Sequence, residues 1–185
     1  MLKNLFKIFV LLAGIFLLSM PSFAVGDNGF SWDKKDLKVY IPQGVDASGM
    51  MQRAFKKWQD KSFGQLSFTF VDKKESANII VVFDNKTDGT DAGDIGSYAL
   101  TIKGGNIIGA EITIVPDYKK YSKDMIYTVM LHEVGHSLGL TDSKRNLGIM
   151  HSPVTETQDI ISNDIVKLFR LNGWSYMNKG TYSNF

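Results

Sequence analysis

The sequence predicts an α+β domain, and three observations carry that prediction. A strand-like segment and a helical one are followed by four strand-like segments in succession and then by two helical ones. Two strand-like runs meet at Gly104-Gly105, a hairpin signal. An otherwise apolar helical segment carries His132-Glu133-Val134-Gly135-His136, so one helix brings charged and imidazole groups into the domain.

Residues 1–24 read as an export signal outside the fold. Lys3 and Lys7 give a positive start, residues 8–18 an apolar stretch, and Ser22-Phe23-Ala24 a small-x-small cleavage site. The apolar stretch falls short of the roughly 20 residues of a membrane span, and Pro21 soon follows it. A secreted or periplasmic protein with no stable membrane anchor after cleavage is therefore expected. The chain carries 21 basic and 19 acidic residues, and without Lys3 and Lys7 the charges balance. No basic run offers a grip on nucleic acid or anionic lipid. There is no cysteine, so neither disulfides nor a thiolate metal site can contribute. A monomer is expected.

Residues 25–36 read as a loosely attached N-terminal segment with Phe30 and Trp32 as apolar anchors, residues 37–177 as the folded domain, and 178–185 as a tail. Residues 37–41 alternate and stop at Pro42, which predicts a short strand. A helix follows with Ser48 as its N-cap and Met51, Ala54, Phe55 and Trp58 as its buried stripe. Residues 65–71 alternate as a strand, and the unbroken apolar run 78–83 suits a central strand covered on both faces. A loop of glycine and aspartate spans 84–96, and strands 97–103 and 106–115 form the hairpin. The histidine-bearing helix is predicted from near Ser122 and Asp124 to Leu138. A last helix is capped by Ser162, buried through Ile165, Leu168 and Phe169, and stopped by Gly173.

His132 and His136 stand four residues apart, so both imidazoles face one point on the helix surface, as a zinc site requires. Glu133 is adjacent, which puts its carboxylate beside the metal rather than on it, where it can take a proton from water as a general base. Gly139 sits where the helix must stop and can adopt the positive φ of a sharp turn. Asp142, six positions after His136, is then placed to supply a third ligand. Glu156, twenty residues after His136, is a rival third ligand whose spacing resembles the thermolysin-like arrangement. It has no need of Gly139.

The run from His132 to Asp142 resembles the metzincin pattern H-E-x-x-H-x-x-G-x-x-H, with aspartate in place of the third histidine. Met150, in Ile149-Met150-His151-Ser152-Pro153, resembles the Met-turn beneath the metal, in a context most similar to the matrixins. Ala54-Phe55-Lys56-Lys57-Trp58, the strand 77–83 and the last helix also resemble that family in their order. The resemblance implies a twisted, mostly parallel five-stranded sheet with an antiparallel edge strand, packed on the active-site helix and two further helices. It implies a zinc-dependent endopeptidase acting on extended protein or peptide substrates. Its ligands would be His132, His136 and Asp142, its catalytic base Glu133, and its supports Gly139 and Met150. Tyr98, Ala99 and Leu100 resemble the edge strand along which such enzymes align a peptide, and Ser152-Pro153-Val154 the wall of a substrate pocket.

Asp84, Asp88, Asp91 and Asp94 share one glycine-containing loop and could hold calcium, although turn-forming aspartates are the plainer reading. With only three histidines in the chain, a second, structural zinc is not expected. His151 reads as a cleft-lining or surface histidine. The rival functions are a narrow-specificity processing or cell-wall peptidase, and a zinc-stabilised binding protein without turnover. Intact Glu133 argues against the second.

Overall fold

The structure, a computed structural model, describes residues 30–84, 95–145 and 147–174. Its strands are β1 (Ser31–Trp32), β2 (Asp36–Tyr40), β3 (Ser67–Val71), β4 (Ile79–Phe83), β5 (Gly96–Lys103) and β6 (Asn106–Ile114). Its helices are α1 (Ser48–Lys61), α2 (Lys123–Ser137) and α3 (Ser162–Leu171), with a 3-10 turn over Lys74–Ser76. The strands form one sheet in the order β1-β6-β4-β2-β3, and β5 pairs with β6 along its other side. All pairings are parallel except the β5–β6 hairpin. Gly104 and Gly105, at φ 60° and 85°, make the two-residue turn that hairpin requires.

Register decides which side chains meet the helices. Val39, Ile79 and Ala110 align across β2, β4 and β6, as do Val81 with Ile112 and Phe83 with Ile114. All but Phe83 are buried. Phe55 of α1 packs edge-on against Phe68 and Phe70 of β3, with ring centroids 4.9 and 6.3 Å away. Its stripe of Met51, Ala54, Phe55 and Trp58 is fully buried, as its helical period demands. Trp58 ties the two large helices together by donating its indole N–H to the Leu131 carbonyl of α2 at 2.9 Å. Beside it lies Gly135, where an added Cβ would overlap Met150 Sδ and come within 3.0 Å of Trp58. A glycine inside a helix costs about 1 kcal/mol relative to alanine. Here that cost is offset by the close approach of α1 and Met150 to α2.

Four local expectations are corrected. Ser48 is the first residue of α1 and Ala47 the cap; the Ser48 hydroxyl donates instead to the Pro42 carbonyl at 2.5 Å. Ser162 likewise opens α3, and the N-cap residue is Ile161, whose N–H is accepted by the Asp164 carboxylate at 3.0 Å. Strand β4 is central but covered on one face only: Ile80 and Val82 are half-buried, because α1 and α2 pack on each other and on the same side of the sheet. The N-terminal segment is no loose attachment over Ser31–Trp32, which adds a short sixth strand to the five expected. Trp32 is buried there, and its indole N–H donates to the Ser137 carbonyl at 2.9 Å. Residues 1–29, the calcium candidates Asp88, Asp91 and Asp94, and the tail lie outside the described residues.

Candidate metal centre

Helix α2 is capped at Ser122, whose hydroxyl accepts from the Met125 N–H at 2.9 Å. One face of the helix carries Met125, Val129, His132, Glu133 and His136, all of which line an open cleft of about 570 Å³. The helix stops at Leu138, and Gly139, at φ 96°, turns the chain back. A Cβ at Gly139 would overlap the Phe30 carbonyl, so that turn needs both the conformation and the size of glycine. Three residues on, Asp142 reaches the two histidines: its Oδ1 lies 3.2 Å from His132 Nε2 and 3.3 Å from His136 Nε2. The two Nε2 atoms are 2.9 Å apart.

Backbone carbonyls set the histidine tautomers. His132 Nδ1 lies 2.7 Å from the Ile149 carbonyl and His136 Nδ1 2.8 Å from the Leu140 carbonyl. A carbonyl only accepts, so each Nδ1 carries the proton and each Nε2 presents a lone pair. Two lone pairs and a carboxylate oxygen therefore converge on one point, an arrangement that calls for a cation. Ligand atoms on a tetrahedron with zinc bonds of about 2.0–2.1 Å stand about 3.3 Å apart, close to the distances found here. His132, His136 and Asp142 thus form a group that could hold a metal ion, and its donor set suits zinc. Burial alone would lower the His132 pKa, but Asp142, the Ile149 carbonyl and Glu133 outweigh it and the net direction is up. When the imidazoles are protonated at Nε2 as well, hydrogen bonds from His132 and then His136 hold the Asp142 carboxyl well below the usual carboxylate range.

Glu133 is buried beside the ligands and packs against Gly96 of β5. Met150 is fully buried beneath α2. Its carbonyl accepts from the Ser143 N–H at 2.7 Å, which staples the segment after Asp142 to the methionine turn. Tyr98 faces the site, with its ring stacked on His136 at 4.1 Å and 13°. Its phenol pKa is raised, by burial first and by Asp142 and Glu133 after it. Ser152, Pro153 and Val154 line the cleft opposite, whereas Ala99 and Leu100 of β5 do not reach it.

Glu156 stands elsewhere. It accepts from the Ser122 hydroxyl at 2.5 Å, at the start of α2, ten residues or about 15 Å along the helix from His132. His151 does not line the cleft either; its Nδ1 donates to the Ser143 carbonyl at 2.9 Å. Tyr121, Met125, Val129 and Gly96 belong to the cleft and were not singled out from the sequence. Stepping back along α2 from His136 by helical period finds Val129 and Met125. Nothing local marks Gly96.

Comparison with known proteins gives a family match. Residues 32–171 match the family model described as Matrixin. The chain is 33% identical over 140 residues to "Matrix metalloproteinase-18" of Xenopus laevis, covering 69% of this chain and 29% of that protein. It is 30% identical over 118 residues to "Probable matrix metalloproteinase 095L" of Invertebrate iridescent virus 3, covering 58% of this chain and 32% of that protein. The chain thus spans under a third of the length of the curated relatives it matches.

Proposed function

The chain belongs to the matrixin family of zinc metallopeptidases, and from that premise we propose that it is an active endopeptidase cutting extended protein or peptide chains laid along β5. The observation that carries this reading is the convergence of His132, His136 and Asp142 in an open cleft with the Glu133 carboxylate beside them. Bound by those three side chains, zinc supplies a Lewis acid that polarises a scissile carbonyl and makes water more acidic.

Glu133 adjoins a ligand in sequence but is not one of the ligand group. In this reading it takes a proton from the attacking water and delivers it to the leaving amine. Gly96 leaves room for its carboxylate. Among the described residues β5 pairs only with β6, so its outer edge can accept a substrate strand through backbone hydrogen bonds. The apolar part of the cleft, built from Met125, Val129, Pro153 and Val154, receives a substrate side chain. Residues 1–24 direct the protein to export, and it acts as a monomer on protein substrates.

Casein or gelatin digestion, with and without a chelator and beside metal analysis, tests the reading. Digestion should stop on chelation and return with zinc. Glu133→Ala should keep its zinc and lose digestion. Chelator-resistant digestion, or an active Glu133→Ala protein, would contradict the assignment.

A further inference from the structure

The helix-facing side of β5 carries two very different neighbours of the metal group. Gly96 and Tyr98 are two residues apart and so share a face, opposite Ile114 and Ile112 of β6. Gly96 leaves space for Glu133, while Tyr98 fills the space over His136. One face of the Tyr98 ring lies flat on the imidazole, yet the residue is 42% exposed within the cleft, so its other face is open to whatever binds there. The apolar part of the cleft sits toward the opposite end of α2. Met125 and His136 are eleven residues, or about 16 Å, apart along the helix axis, with Glu133 between them.

A peptide added to β5 in the more stable antiparallel sense passes Tyr98 before Gly96. Its residues on the amino side of the scissile bond then lie over Tyr98, and those on the carboxyl side enter the Met125–Val129 part of the cleft. We propose that Tyr98 is a specificity-determining residue whose open ring face selects an aromatic side chain on the amino side of the bond to be cut. The proposal rests on the peptidase reading above. Its physical basis is offset stacking, in which a second ring gains more from an aromatic face than from an aliphatic one.

The test is binding, which needs no turnover. Short acetylated peptides ending in a hydroxamate anchor at a zinc site through that group, so the last residue occupies the amino side. Two such peptides, ending in phenylalanine or alanine hydroxamate, are titrated calorimetrically against zinc-loaded wild type, Tyr98→Ala and Tyr98→Phe. The phenylalanine peptide should bind wild type and Tyr98→Phe more tightly than the alanine peptide. In Tyr98→Ala that preference should shrink by about 2- to 12-fold, the range expected of one aromatic pair. An equal preference in wild type and Tyr98→Ala, or an equal loss of both peptides in Tyr98→Ala, would overturn the proposal and leave the peptidase reading standing. Failure of both peptides to bind the zinc-loaded wild type would remove the peptidase reading and this proposal with it.

Discussion

Replacing Gly96 by alanine should damage catalysis far more than folding. A Cβ built at residue 96 stands 2.6 Å from Val129 Cγ1, 2.7 Å from Glu133 Cγ and 2.8 Å from Glu133 Oε1. Comfortable contacts begin near 3.5 Å, so the neighbours must retreat by roughly 0.7–0.9 Å. Val129 is buried and β-branched, which leaves it little freedom to move. Glu133 therefore takes most of the displacement. A misplacement of about 1 Å at a reacting group costs on the order of 100-fold in rate, whereas overpacking by one methyl costs about 1–3 kcal/mol of stability. The added carbon touches none of His132, His136 and Asp142, so zinc affinity should be unchanged. The assay is kcat/KM on a peptide substrate, beside denaturant unfolding and a zinc titration. A Gly96→Ala protein with wild-type kcat/KM would refute the reasoning, and one that lost its zinc would show that the damage lies in the ligands.

Asp142→Ala should weaken zinc binding by more than the about 10–100-fold that loss of an outer-shell partner costs, since one of three protein ligands is removed. Glu156→Ala should leave zinc binding unchanged, because Glu156 serves the start of α2; competition titrations on both variants check this, and the reverse ranking would contradict the site described. Asp164 carries a pH prediction: burial, only partly offset by hydrogen bonds from the Ile161 and Ile149 N–H groups, raises its carboxyl pKa. A raised folded pKa stabilises the protonated form, so this contribution is complete below the unfolded value of about 3.9 and is lost as pH rises through the folded value. Asp164→Asn should therefore flatten the fall in unfolding free energy just above pH 4, measured by denaturant titration across pH; an unchanged slope would count against the shift.

The chemistry of the site was legible because it is written at helical spacing. His132, Glu133 and His136 needed only the geometry of one helix to be placed on one face, and Gly139 announced the turn that brings Asp142 back. Local periodicity also located the strands of the hairpin and the buried stripe of α1, since an amphipathic pattern reports which face meets a core. The capping serines were misplaced by one residue. Both Ser48 and Ser162 precede their apolar stripes as caps do, yet the Ser48 hydroxyl is taken by the Pro42 carbonyl six residues earlier, and Asp164, within α3 itself, accepts from the Ile161 N–H one residue before Ser162.

What the sequence by itself determined was therefore the class of fold, the His132, His136 and Asp142 group that could hold a metal ion, with Glu133 beside it, and the family these imply. That group and its neighbouring carboxylate depend on residues within one helix and the turn after it, and the fold class and family on the order of strand and helix periods along the chain. Only the tertiary structure decided what surrounds them. It put Tyr98 on His136, Gly96 against Glu133, Trp32 under the end of α2, and the Ile149 and Leu140 carbonyls behind the two imidazoles. It also excluded Glu156, which spacing alone had left as a rival. Apart from the Leu140 carbonyl, four residues from His136, these contacts join segments distant in sequence, and backbone carbonyls bear no side-chain signature. Their partners are fixed by sheet register and helix packing, which no local pattern encodes.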